Sequence, residues 1–206
     1  MVKTYIFAGI VVVVVLILKS PWFKGWIGEL QVNLMTKFCL DKDVYHLIKN
    51  VTIPADGGTT QIDHVIVSRF GVFVVETKNL RGWIFGKGED AYWTQKLYRH
   101  SEKFQNPVRQ NYKHTKALSE ILGIQGDKMR SVVVFPGNVT FKTEMPENVT
   151  GPRGYIRYIR SQTRPVLTED EVRQVIYLIA EKRLVPGLKT HFEHVKHVKN
   201  IKAKKI

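Results

Sequence analysis

Residues 58–79 read GTTQIDHVIVSRFGVFVVETKN. Two β-branched runs, QIDHVIVS and VFVVETKN, flank Arg69-Phe70-Gly71, a strong hairpin signal. Side chains two apart on a strand share a face, so Glu76 and Lys78 project together. Asp63 lies on the partner strand. It joins their face if residue 63 pairs opposite 76, which needs an even connection such as a four-residue loop from Ser68 to Gly71, or a bulge that restores parity. A plain three-residue loop turns Asp63 to the other side of the sheet.

Working outward, GWIGELQVNLMTKFCL at residues 25–40 sets Ile27, Leu30, Leu34 and Phe38 at spacings of three and four. This predicts a helix with that stripe buried and Cys39 as an inert, buried thiol beside it. YHLIKNVTIP predicts a strand ending at Pro54, followed by a turn at Asp56-Gly57-Gly58. WIFGKGEDAYW reads as two short strands about a glycine turn. Asn106-Pro107 opens a helix, with Asn as N-cap and Pro in its first turn, and Gly123 suits its end. SVVVFPG and GYIRYIRSQ both read as strands. In the second, Tyr155 shares a face with Arg157, and Tyr158 with Arg160. Such interleaving suits nucleic acid, although an ordinary edge strand also shows it. Thr168-Glu169-Asp170-Glu171 forms a capping box for a helix to Leu184. Pro186-Gly187 breaks that helix, and a basic last helix begins near Leu188. The predicted fold class is α/β (α+β): a central mixed β-sheet flanked by helices.

Composition bounds the partners. The chain has 206 residues, 44% of them hydrophobic, enough for a proper core. One cysteine excludes an internal disulfide framework and any cysteine-based zinc site. No repeat of solenoid or heptad period is present. A net charge of +14 points to polyanionic partners, either nucleic acid or an acidic lipid surface.

Hydropathy concentrates at the amino end. Residues 5–18, YIFAGIVVVVVLIL, carry no charge and lie between Lys3 and Lys19. As a helix they span only about 21 Å of the ~30 Å hydrocarbon layer. Snorkelling lysines and the aromatic group Trp22, Phe23 and Trp26 extend that reach. The expectation is a single-pass, N-terminal transmembrane helix in the cell membrane. Lys19, Lys24 and Lys37 put the rest in the cytoplasm, and an unpaired cysteine agrees with a reducing compartment. The alternative is a cleaved signal and a secreted product; against it, LKSPWFKGW offers no small-x-small cleavage pattern.

Paired carboxylates at Asp63 and Glu76 supply hard oxygen ligands for Mg²⁺ (or Mn²⁺). Such an ion activates water and neutralises charge growing on a phosphoryl group. Lys78 would orient or deprotonate the attacking water, or stabilise the oxyanion. The pattern of Asp63 with Glu76-x-Lys78 on a hairpin after a helix resembles the PD-(D/E)XK nuclease superfamily. More closely, the run from Gly28-Glu29 through GTTQIDH, VVETKN, YWTQ and FQNPVRQNYKH resembles the nuclease-related domain, NERD. The resemblance covers about residues 25–135 and implies a restriction-endonuclease-like core acting on nucleic acid, foremost DNA. It implies Asp63 and Glu76 as metal ligands, Lys78 as the catalytic lysine and Glu29 as an additional ligand. Ile62 departs from the superfamily pattern, standing where proline gives it its name. The expected layout is an anchor at residues 1–24, the nuclease-like domain at 25–162, and C-terminal helices with a basic tail at 163–206.

Gln61 shares Asp63's face by parity and is expected to touch substrate, with a sheet-edge hydrogen bond as the alternative. Gln95, and Gln110 with His114 one helical turn on, are further candidates for the same cleft, against a plain polar helix surface. His64 should face away and serve packing. His191, His194 and His197 have a metal-like spacing but share their segment with a competing apolar stripe, Phe192, Val195 and Val198. The tail with Lys196, Lys199 and NIKAKKI can contact anionic lipid or phosphate. Three functions follow: a membrane-anchored metal-dependent nuclease, an idle module tethering nucleic acid or a partner protein, and a domain resting on acidic lipid.

Overall fold

The computed structural model describes residues 2–55 and 58–184. The histidines at 191, 194 and 197, the basic tail and most of the turn at 56–58 therefore lie outside the described residues. Helix α1 covers Val2–Lys19 and α2 covers Pro21–Cys39. Ser20 caps α2, its Oγ accepting from the Phe23 N–H at 3.1 Å, and Pro21 fills the first turn. Among the described residues no single helix is long and apolar enough to cross a membrane. Only the bent pair Tyr5–Lys19 and Pro21–Cys39, at 60°, reaches the required length and composition together.

The strands form two mixed sheets rather than one. The first has the order β1 (His46–Ala55), β2 (Gly58–Ser68), β3 (Gly71–Thr77), β7 (Met129–Val134), β9 (Val149–Thr150). The second runs β6 (His100–Gln105), β5 (Tyr92–Leu97), β4 (Gly82–Phe85), β8 (Val139–Phe141). β3 is the pivot of the first sheet, antiparallel to β2 and parallel to β7. The parallel crossover is made by α3, Pro107–Leu122. Asn106 accepts from the Val108 and Arg109 N–H groups, and Gly123 ends α3 in the left-handed conformation at φ 65°, as the sequence predicts. Buried Asn106 also donates to the carbonyls of Lys87, Gly88 and Asp90, so one side chain caps α3 and pins the β4–β5 loop.

Three apolar clusters organise the core. Val65, Val67, Val72 and Val74 pack with Leu118 of α3 and Val175 of α5 (Glu169–Lys182) on one face. Ile66, Phe73, Val75 and Val132 pack with Val32 of α2 and Ile159 of α4 (Pro152–Ser161) on the other. Trp93, Phe135 and Ile84 join the second sheet to the first, with the Trp93 and Phe135 rings stacked at 6.3 Å. The capping box of α5 forms in both directions, Thr168 with Glu171, although the helix stops at Lys182 rather than Leu184.

Three further expectations are corrected. GYIRYIRSQ is helix α4 rather than a strand: Tyr155, Ile156 and Ile159 are its buried side, and the Tyr155 hydroxyl lies 2.5 Å from Thr36 Oγ1 and donates to the Val32 carbonyl. The facing of Arg157 with Tyr155, which assumed a strand, is lost with it. In α2 the buried side is Gly28, Val32 and Thr36, whereas Leu30, Leu34 and Phe38 are exposed, Phe38 to 77%. The physical reason is close approach. A Cβ on Gly28 would stand 2.6 Å from that of Asn79, so the helix packs through its smallest residue and leaves its greasier flank outside. Cys39 is half-buried rather than buried.

Candidate active site

The hairpin meets the parity condition. Ser68 pairs with Gly71 across the two-residue turn Arg69-Phe70, and the register runs back to His64 opposite Val75. Continuing it sets Asp63 opposite Glu76. There the sheet breaks on both sides of Asp63. The β2–β3 ladder ends at His64–Val75, and on β1 the residue facing Asp63, Asn50, is left out of the ladder with φ 52°. Asp63 Oδ2 then accepts the Thr77 N–H at 2.8 Å. A carboxylate thus takes a place that a strand carbonyl would fill in an unbroken ladder.

Glu76 ends the buried run of β3 and is 2% exposed. Its two oxygens are approached from different sides. Lys78 Nζ donates to Oε1 at 2.5 Å, and His114 Nε2 lies 3.2 Å from Oε2. Lys78 Nζ also donates to Gln110 Oε1 at 3.0 Å, and Gln110 Nε2 is 3.4 Å from His114 Nε2. His114 Nδ1 is held by Thr60 Oγ1 at 2.7 Å. Five side chains, from β2, β3, α3 and Lys78 just past the end of β3, therefore form one connected polar group.

Electrostatics separates the two carboxylates. Burial drives the Asp63 carboxyl well above its ordinary value, and repulsion from Glu76 drives it further; the Thr77 N–H offsets only part. Burial also pushes Glu76 up, but the Lys78 ammonium and the neighbouring His114 imidazole outweigh it and bring its carboxyl below the usual value. Glu29 on α2 is raised by partial burial and then by the charge of Glu76, which places its carboxyl within electrostatic reach of the pair. Glu76 raises the proton affinity of both Asp63 and Glu29, and these acidic groups form a donor set that a divalent cation would relieve. Among the described residues, however, no three His, Cys, Asp or Glu side chains already converge on a common metal position. The residues fit a cation chemically, and Lys78 occupies part of that space.

The remaining candidates divide. Gln110 and His114 join the carboxylate group directly, closer than an outer cleft wall. Gln61 lies half-buried opposite Thr52 on β1. Gln95 sits on the second sheet, its Nε2 donating to the Arg81 carbonyl at 2.7 Å, a structural role. His64 is buried against the other face with its pKa lowered to about 4, by burial first and by Lys49 second, and so is neutral. Thr60, the partner of His114, has no sequence signal: strand parity sets it with Ile62, on the side away from Asp63.

A protein of Bacillus anthracis described only as uncharacterized is 37% identical over 192 residues, covering 89% of this chain and 88% of its own length. No solved structure matches the chain. The profile of the nuclease-related domain matches residues 24–136, the span that holds Glu29, Asp63, Glu76, Lys78, Gln110 and His114. With more than half of its length inside that match, the chain belongs to the nuclease-related domain (NERD) family.

Proposed function

We propose that this protein is a divalent-metal-dependent phosphodiesterase acting on nucleic acid and held at a membrane by its amino-terminal helices. The observation that carries the reading is the pair of half-buried Asp63 and buried Glu76, whose charge is outweighed at Glu76 by Lys78 and His114 but only partly offset at Asp63. Asp63 and Glu76, with Glu29 from α2, would hold Mg²⁺ or Mn²⁺, which supplies Lewis acidity toward the scissile phosphodiester. Lys78, already steered by Gln110, would release Glu76 and position or deprotonate the attacking water, or stabilise the developing negative charge. His114, fixed by Thr60, would hold Glu76 in orientation as an outer-shell partner. The test is plasmid relaxation and oligonucleotide cleavage by the full chain in detergent micelles. Cleavage is expected with Mg²⁺ or Mn²⁺ and is lost on chelation. Binding without cleavage under either metal would replace the enzyme by a nucleic-acid tether. One observation favours that second reading: Lys78 Nζ already stands beside Glu76 where a cation would go.

The membrane part rests on two continuous apolar surfaces. Tyr5, Ile6, Phe7 and residues 10–18 of α1 present exposed apolar side chains, and Trp22, Trp26, Leu30, Leu34 and Phe38 extend that surface along α2 at four-residue spacing. Trp22 and Trp26 suit the headgroup layer, and Lys19, Lys24 and Lys37 suit an anionic leaflet. The full chain is expected to remain with membranes through a high-salt wash. Removing residues 5–18 together with Trp26→Ser and Leu34→Ser should release it. Release of the unaltered chain by salt alone would sink the anchor.

A further inference from the structure

Beside the carboxylate group, and separate from it, a cavity of about 800 Å³ opens between α2 and the second sheet. It lies past the carboxyl ends of the parallel strands β3 and β7, where ligands of parallel sheets collect. Asn79, immediately after Lys78, forms part of it, as do Ile27 and Gln31, which bracket Glu29 on α2. Gly137 lets the backbones in its wall pack closely: a Cβ there would overlap the Leu80 carbonyl. Its charged lining is Arg81 and Lys96, with no acidic residue. Its aromatic lining is Trp83, 47% exposed, and Tyr98, 91% exposed.

Tyr98 supplies an independent observation. It is the first residue of the two-residue turn Tyr98-Arg99 joining β5 to β6, at φ 53°. Such turns favour Asn or Gly at a left-handed position, and a bulky ring there is strained. An exposed aromatic kept at a strained position marks a functional contact. Lys142 Nζ lies 4.5 Å from the centre of the Trp83 ring, so that ring already receives a cation.

We infer that this groove binds single-stranded nucleic acid, with bases stacked on Tyr98 and Trp83 and the backbone drawn by Arg81 and Lys96 toward Lys78. The inference rests on the phosphodiesterase reading for its direction but not for its test. Cations without acids suit the phosphates, and exposed rings suit unpaired bases. A duplex offers only base edges in its grooves and has no free ring face to stack.

Binding of labelled oligothymidylate, oligouridylate and a blunt duplex is measured by anisotropy with the full chain in micelles and EDTA, where no metal-dependent turnover enters. Trp83→Ala and Tyr98→Ala should each weaken single-strand binding roughly 5- to 100-fold. Arg81→Ala should weaken it and lower the salt slope by about 0.7. Tyr98→Gly separates binding from folding, because glycine relieves the turn while removing the ring; it should bind as weakly as the alanine variant with an unchanged or higher Tm. Preference for either sugar identifies the strand. Unchanged affinity in the aromatic variants, or duplex binding equally dependent on Trp83 and Tyr98, overturns the assignment. A chain that binds in this way but never cleaves loses the enzyme reading and keeps the groove.

Discussion

Glu76→Gln is expected to lower metal-dependent cleavage by roughly 10³-fold or more while leaving the hairpin in place. Glutamine keeps the shape of the side chain but removes the charge that a cation needs and that Lys78 answers at 2.5 Å. Lys78→Met should fall by a similar factor, since it leaves the carboxylates intact but removes the only ammonium that contacts Glu76 among the described residues. The effects of the pair should be far from additive, because each variant disables the same group. The measurement is single-turnover cleavage at saturating Mg²⁺. Activity in Glu76→Gln within tenfold of the unaltered protein would place the chemistry elsewhere. Glu76→Gln should also cost stability at neutral pH. A carboxyl held below its ordinary value contributes stability above its unfolded value near 4.5 and loses it as the pH falls through the folded value.

Asp63→Asn should do the opposite to stability and the same to activity. The Asp63 carboxyl is raised, by burial first and by Glu76 second. The stability it contributes is therefore fully present below its unfolded value near 3.8 and is lost as the pH rises through the folded value. Above the unfolded value the fold bears the cost of the buried charge or of the proton that neutralises it. Asparagine removes that charge and can still accept the Thr77 N–H, so the variant should gain about 1–2 kcal/mol, roughly 2–8 °C in Tm. The gain should vanish below pH 4. Saturating Mg²⁺ should raise the Tm of the unaltered protein more than that of the variant, because only the former keeps both anions to be neutralised. A lower Tm for Asp63→Asn at pH 7 would mean that the carboxylate is relieved by protein groups alone, and the case for a cation would weaken. Opposite stability shifts from two neighbouring carboxylates are hard to obtain from packing changes.

The parts of the fold that could be read from the sequence are those where local chemistry and tertiary packing agree. The 58–79 hairpin is apolar along most of both strands and punctuated by its turn, so its two strands follow from residue order, whereas the alignment of Asp63 with Glu76 waited on the turn length that the Ser68–Gly71 pair fixes. Asn106-Pro107 and Gly123 carry their own cap chemistry, as do Thr168 and Glu171. What could not be read has a common cause. Strand β6, HSEKFQ, has five exposed positions and is held by pairing with β5, so no apolar alternation announces it. β8 is three residues long. In α4, apolar residues at 155, 156, 158 and 159 fit a strand as well as a helix, and Pro152 at its start was the deciding signal. In α2, hydropathy pointed to the wrong flank because the packed flank is made of Gly28, Val32 and Thr36. The network around Glu76 was legible as a set of residues, but the closeness of His114 depends on how α3 crosses β3, which sequence spacing does not encode.

Helix α2 carries Glu29 on one flank and Trp26 and Leu34 on another, so a single rigid rod links the outer surface to the reactive centre. A side chain about 5–6 Å from a helix axis sweeps roughly 2 Å when the rod rolls by 20°. Displacements of about 1 Å are enough to change rates a hundredfold. On the proposed reading, a bilayer seating the outer flank would thereby set where Glu29 stands relative to Asp63 and Glu76.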